Sequence, residues 1–470
     1  MAASSAHRDL TPGRGRVLAA VMLANGIAAV DSTIVASALP SIARSLGDYD
    51  RFPWVFAAFL LAQAVCIPAC GKLADQSGRR PVLLCGLALL ALGSIMCAVA
   101  WSMTALIVFR AVQGLGAGAV QPMAATIPGD LYTVAERARV QGLIAATWAG
   151  GAILGSATGG LLAEYIGWRV VFLANLPVCA AVTWLVLCHY RERPITTRAV
   201  VDVRGILLLA VVCGLLMIVL LQGGTSFAWH SPVTGALIAA ALALTVVLMK
   251  VERRAVDPVV PGWIVRHRML AVSSVVCVLM GAILIGVVTY VPVYTHEVLR
   301  LDSLGAGLVL AAFMVGWPLA AGLAGRVYLR VGFRACELVG AAILLLGTVL
   351  LAVLGQQVVA GGLVALACFV IGLGMGMITS PTVVAAQAAV TWSLRGFVTA
   401  NTLFCRVMGG ALASAAFGAI LAVSAAGRTA PGRDAIADGT GDVFWAMVVA
   451  AVMATFAVIA LPAAPAPNRS

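Results

Sequence analysis

Runs of about 20 apolar residues, separated by short segments rich in arginine, glycine and proline, recur from one end of this chain to the other. A helix of that length crosses the hydrocarbon of a bilayer, and it can stand there because it bonds every backbone N–H and C=O within itself. Fourteen such runs are read, from near 17–41 at the start to near 443–463 at the end. Composition agrees, since 62% of the 470 residues are hydrophobic and 10% are charged, against about a quarter charged in soluble domains. A water-soluble core cannot absorb that much apolar surface. The opening MAASSAHRDLTPGRGR is polar and basic and leads into the first run with no small-residue cleavage site. That run is therefore read as a retained helix, not a signal peptide.

The charge says which way the chain lies. Thirty Lys and Arg against eighteen acids give a net +12, which in a soluble domain would suggest nucleic acid. Here the basic residues are dispersed over loops, no soluble basic domain exists, and nucleic acid is excluded as a partner. The N-terminus and every second loop after it carry 22 of the Lys and Arg, the opposite loops carry 6, and Arg110 and Arg406 lie within helices. Cytoplasmic loops accumulate Lys and Arg, so both termini are expected in the cytoplasm. Arginine far outnumbers lysine and alanine is abundant, as in GC-rich genomes, which points to a multi-pass protein of the bacterial cytoplasmic (inner) membrane.

Several chemistries are missing. No Gly-x4-Gly-Lys-[Ser/Thr] loop offers a phosphate site, and the eleven cysteines form no CxxC pair or metal-ligand spacing. The five histidines fall in loops or at helix ends. The chain is expected to be no enzyme and to need no cofactor or metal, with an ion gradient as its energy source.

What remains is polar chemistry inside the apolar runs. Asp31 lies about 10 residues, roughly 15 Å, inside the outer end of the first helix, where a carboxylate is costly unless paired, protonated or facing water. Arg110 lies about 6 residues, roughly 9 Å, below the outer end of the fourth helix, where its long side chain can extend to the depth of Asp31 or snorkel to the interface, and Gln113 follows it one turn on. Gln63, Asn175, Tyr290, Tyr294, Trp317 and Asn401 are read as lining a broad apolar substrate cavity with few polar anchors. An internal echo is also visible. Gly71 and Gly78 after the second helix are spaced as Gly325 and Gly332 after the tenth, and both loops end in Arg, although Leu329 stands in the place of Asp75. Repeats of this kind mark transporters that rock one half against the other.

The most specific segment is Gly71-Lys-Leu-Ala-Asp75-Gln-Ser-Gly78-Arg79-Arg80-Pro81. It resembles the loop signature of the major facilitator superfamily, in which it acts as a latch between two halves. Asp31-Ser-Thr-Ile-Val-Ala-Ser-Ala-Leu-Pro40 and Arg110-Ala-Val-Gln113-Gly114 resemble the first- and fourth-helix motifs of that superfamily's fourteen-helix drug:proton antiporters, the latter implicated in proton transfer. Asp202-Val-Arg-Gly205, Asp257-Pro258 and Arg406-Val-Met-Gly409-Gly410 look similar as well. The helix-5 packing motif survives as Gly151, Gly155, Gly159 and Gly160, with Ser156 where the family has proline.

The resemblance implies an all-α membrane protein of the major facilitator fold. Its fourteen transmembrane helices form two six-helix bundles plus two inserted helices, divided as 1-190, 191-268 and 269-470. It implies a proton-coupled antiporter, functional as a monomer in the lipid bilayer, exporting lipophilic, often cationic, drugs or toxic small molecules. Proton coupling falls to Asp31, Arg110 and Gln113, and the latch to Gly71, Asp75, Gly78, Arg79 and Arg80. A dedicated exporter of an endogenous product (a lipid, siderophore or self-made antibiotic) and a proton symporter remain as alternatives.

Overall fold

The computed structural model describes residues 13–47, 53–192, 203–222, 227–228, 231–254, 262–357, 359–425 and 433–462. Among these the ordered elements are helical: α1 (Arg14–Leu46), α2 (Pro53–Ser77), α3 (Arg79–Ala98), α4 (Met103–Leu131) and α5 (Val134–Leu162), then α6 (Ala163–His189), which opens on a π turn. Next come α7 (Val203–Gln222) and α8 (Pro232–Arg254), and α9 (Arg268–Val298), interrupted by two π turns. The chain continues with α10 (Ser303–Val331), α11 (Phe333–Leu354), α12 (Gly361–Ala388), α13 (Arg395–Ala425) and α14 (Arg433–Ile459).

Twelve stretches of the described residues are long and apolar enough to cross a membrane, where the sequence suggested fourteen. The two others fall on α5 and α7. α5 begins with Glu136, Arg137 and Arg139 and continues in glycine, alanine, serine and threonine, so its hydropathy is low although the helix is long. α7 is apolar over nearly all of Val203–Gln222, but its side chains are described without interruption only as far as Leu216, so only Arg204–Leu216 counts.

Two hydrophobic cores form. One gathers Val17, Ala24, Leu87, Val120, Met123 and Val182 from α1, α3, α4 and α6, with a second cluster around Ile34, Val171 and Phe172. The other gathers residues of α9 to α12 and α14, including Phe313, Tyr328, Leu344, Ile371 and Phe444. Between them, α5 packs on α10 and α2 on α13. α7 and α8 lean on the outside of this second seam, where Leu209, Cys213 and Leu248 meet Leu61, Val65, Phe404 and Met408. Outward-facing leucines and valines, such as Leu207, Leu242 and Val246, remain exposed as a bilayer solvent requires.

The internal echo has a geometric counterpart. Gly78 sits at φ 105° between α2 and α3, and Gly332 at φ 87° between α10 and α11. Only glycine takes such angles without strain, so both tight hairpins depend on the residue that the repeat preserves.

Candidate functional site: a buried carboxylate, a latch and a cavity

Asp31 is held inside the first core by four helices. Arg110 Nη1 donates to its Oδ2 at 2.8 Å, while Gln113 Nε2 and Asn175 Nδ2 donate to its Oδ1 at 2.9 and 2.8 Å. Ser94 of α3 accepts from the same two amides at 2.8 and 3.2 Å, and Gln113 Oε1 accepts from Arg110 at 2.6 Å. The guanidinium lies 4.1 Å from the Phe59 ring centroid and donates from Nε to Val55 O at 3.3 Å. All five polar side chains are buried. Three donors of this shell point at the carboxylate oxygens, while Arg110 Nη2 has no partner among the described residues; the positive charge is matched within the shell, which is what makes a buried charge pair tolerable. The sequence grouped Asn175 with the substrate cavity. In the fold α6 lies against α1 and turns that amide onto Asp31, and Ser94 joins the shell without any signal in its own run.

The carboxylate of Asp75, at the end of α2, accepts from the Gly396 and Phe397 backbone N–H groups at 2.9 and 2.7 Å. It thereby satisfies the open first turn of α13, where a negative charge is favoured. Arg79 Nη2 donates to Asp75 Oδ1 and to Trp392 O, both at 2.8 Å, and its plane lies 3.9 Å from the Trp392 ring centroid. Arg79 Nε is also 3.0 Å from Asp130 Oδ2, and Arg395 Nη1 is 3.5 Å from Asp130 Oδ1. Gly71 makes this seam possible, since a Cβ there would overlap Ala400 and lie 2.8 Å from Gly396 O. Arg80 does not reach across: its N–H and that of Arg79 donate to Glu192, and its guanidinium donates to Leu187 O.

The second seam closes at the same end. Tyr328 of α10 donates to Val134 O at 3.1 Å, Arg137 donates to Gly129 O and to Gln387, and a Cβ on Gly142 would lie 2.7 Å from Gly322 Cα. Asp130, Glu192, Trp392, Arg395, Arg137 and Gln387 were not picked out from the sequence. Asp130 was the most accessible of them, as an acid just past the end of the fourth apolar run.

The glycines of α5 face α1. A Cβ at Gly151 would lie 2.8 Å from Gly26 O, at Gly155 2.7 Å from Val30 O, and at Gly159 2.9 Å from Ile34 Cα. Three successive turns of α1, the last two bracketing Asp31, therefore rest directly on α5 backbone. The surroundings of Ser156 and Gly160 lie outside the described residues.

A cavity of about 130 Å³ opens between the two cores, lined by α1, α4 and α5 on one side and by α9, α10, α12 and α13 on the other. Trp148 and Trp317 pack against each other in its wall, with ring centroids 6.0 Å apart. Of the six residues assigned to a cavity from the sequence, Trp317 lines this one; Gln63, Tyr290, Tyr294 and Asn401 do not. Tyr290 packs on Phe417, Tyr294 donates to Leu354 O and Gln357 O, and Asn401 donates to Ser274. Gln63 is buried where α4 crosses α2 at Gly118. Asn25, Gln121, Gln141 and Arg406 supply the cavity's polar edge instead.

Two helical cores around a shared cavity, bonded to each other at one end and carrying a buried ion pair inside one of them, define a polytopic helical membrane protein. Comparison with known proteins makes the class specific. The Major Facilitator Superfamily model matches residues 21–414, and the chain belongs to that family. It is 29% identical over 411 residues to multidrug transporter protein MdtP of Bacillus subtilis, covering 87% of this chain and 75% of that protein. It is 30% identical over 396 residues to multidrug resistance protein Stp of Mycobacterium tuberculosis, covering 84% and 73%. Its fold matches the crystal structure of the human organic anion transporter MFSD10 with a TM-score of 0.68 at 16% identity, covering 95% of this chain and 99% of that one.

Proposed function

We propose that this protein exports lipophilic small molecules across the bacterial cytoplasmic membrane in exchange for protons, acting as a monomer. The observation that carries the reading is the Asp31 shell: a carboxylate buried at membrane depth, with no role in the seam between the cores, beside a helix that packs on the cavity wall. Relatives named as multidrug transporters support the substrate class.

The coupling we propose is mechanical. A proton arriving on Asp31 removes the charge that holds Arg110, and the guanidinium must find new partners. α1 carries that change to α5 through the glycine contacts, and α5 forms one seam of the cavity. Direct exchange of a cation for the proton at Asp31 is disfavoured, because the carboxylate lies outside the lining of this cavity and each of its oxygens already accepts.

We take the latched end as cytoplasmic, on the arginine distribution, and all fourteen helices as crossing. Asp75 at the end of α2 meets Gly396 at the start of α13, so an even number of crossings separates them. α7 and α8 therefore cross together or not at all, and their length and apolar composition favour crossing. The division into 1-190, 191-268 and 269-470 follows from the same reading.

The test is reconstitution into liposomes with an acidic lumen and a membrane-impermeant fluorescent amphiphile outside. Accumulation that collapses when an ionophore dissipates the pH gradient is expected; accumulation indifferent to the gradient contradicts proton exchange.

A further inference from the structure

The cavity holds a charge that no described residue answers. α13 is pinned to α9 where a Cβ on Gly409 would lie 2.6 Å from Val278 Cα and one on Gly281 would lie 2.9 Å from Gly410 N. That contact fixes which face of α13 turns inward, and Arg406 belongs to the inward face, in the cavity lining. It is partly buried and makes no hydrogen bond, ion pair or ring contact with any described residue. The lining contains no carboxylate. Asp31 and Glu337 are each buried inside one core, and Asp75 and Asp130 belong to the latch.

Among the described residues, the three buried arginines each have an answer. Arg110 has Asp31, Arg79 has Asp75 and Asp130, and Arg137 has backbone carbonyls and Gln387. An unanswered guanidinium at membrane depth is costly, and one that faces a cavity is placed to take its counter-charge from a ligand. Two further polar atoms of the same lining lack partners, Gln121 Oε1 and Ser380 Oγ. The rest is apolar and aromatic, with Trp148, Trp317, Met314 and Leu403. A volume near 130 Å³ is about that of a cavity that holds one aromatic ring.

From this we infer that the cavity selects amphiphiles carrying an anionic group, a carboxylate, sulfonate or phosphate ester, on an aromatic or apolar body, with Arg406 as the residue that reads the charge. The inference rests on the export reading and names its substrate class, which is the opposite of the cationic preference that the resemblance implied. Asp31, a buried acid that could meet a cation, lies in its own shell outside the cavity lining.

The test uses one fluorophore in three charge states: dansyl sulfonate (anion), dansylamide (neutral) and dansylamidoethyl-trimethylammonium (cation). Tryptophan-sensitised dansyl emission, read on the full chain in nanodiscs, reports binding beside Trp148 and Trp317. The sulfonate should bind more tightly than the amide, and the amide more tightly than the ammonium. Arg406→Gln should weaken the sulfonate about tenfold or more, as loss of a charge-assisted hydrogen bond does, and leave dansylamide within about twofold. Retained dansylamide binding shows that the variant folds. Arg406→Lys should fall between, because a point charge replaces the fork. Equal or tighter binding of the ammonium in the wild type, or unchanged sulfonate binding in Arg406→Gln, overturns the inference. Flux of the same probes into proteoliposomes separates it from the export reading. Sulfonate that binds through Arg406 but is never moved sinks the export reading alone, whereas gradient-driven ammonium flux indifferent to Arg406 sinks this inference alone.

Discussion

Replacing Asp75 with Asn should open the latched end without unfolding either core. The carboxylate accepts three hydrogen bonds, and two of them, from Gly396 and Phe397, cross between the cores. Asparagine keeps one acceptor oxygen, so at least one crossing bond is lost, and its NH2 is set against a donor. A hydrogen bond to a charged group contributes about 1.5–3 kcal/mol, and the lost charge at the first turn of α13 adds about 0.3–1 kcal/mol. The latched state therefore loses roughly 2–4 kcal/mol, a shift of about thirty- to several-hundred-fold in the balance between latched and open states. Arg79 still holds Asp130 and Trp392, so the loop itself stays folded. Spin labels at Ser77 and Ser393, both exposed beside the latch, in a cysteine-free background give the distance distribution directly. The wild type should show one short distance and Asp75→Asn a second, longer population, with thermal stability of the solubilised protein nearly unchanged. A single short distance in the variant refutes the latch and leaves the segment as a topology signal.

Two further perturbations follow from the packing. Gly155→Ala places a methyl 2.7 Å from Val30 O and should lower both stability and flux, whereas Gly150→Ala, with open space at its Cβ, should behave as wild type; a thermal-shift and flux comparison of the pair checks this. Asn175→Leu removes one of three donors to Asp31 and should cost about 1–3 kcal/mol of stability and impair pH-driven flux, while dansylamide binding in the cavity persists; lost dansylamide binding with intact coupling would put Asn175 back in the cavity.

How much of this was legible in the residues follows from what a membrane sequence can carry. Asp31, Arg110 and Asp75 stood out because charge inside or beside an apolar run is rare, and each proved to have a definite partner. Asn175, Gln63, Tyr290 and Tyr294 could not be sorted between cavity and packing, because a helix that is apolar all round gives no sign of which face a single polar residue occupies. The OH of Tyr294 finds backbone carbonyls at the end of α11, not a cavity. Contacts across the cores were hidden for a different reason: Arg79 and Trp392 lie 313 residues apart, and no local pattern marks such a pair. The glycine spacing of α5 was readable as a packing face, but the helix it packs on was not. Arg406 was noticed as part of a motif, and its isolation becomes visible only when the lining of the cavity is assembled.

The central claim is that a proton on Asp31 drives export. It is tested most directly by pH-gradient-driven flux in proteoliposomes, comparing the wild type with Asp31→Asn for one transported probe. The substitution keeps the shape and one acceptor oxygen for the Arg110 shell but cannot take up a proton. The account predicts that uphill accumulation disappears while movement down the probe's own gradient continues. Uphill, gradient-dependent accumulation by Asp31→Asn would make the buried pair a structural feature and place proton coupling elsewhere.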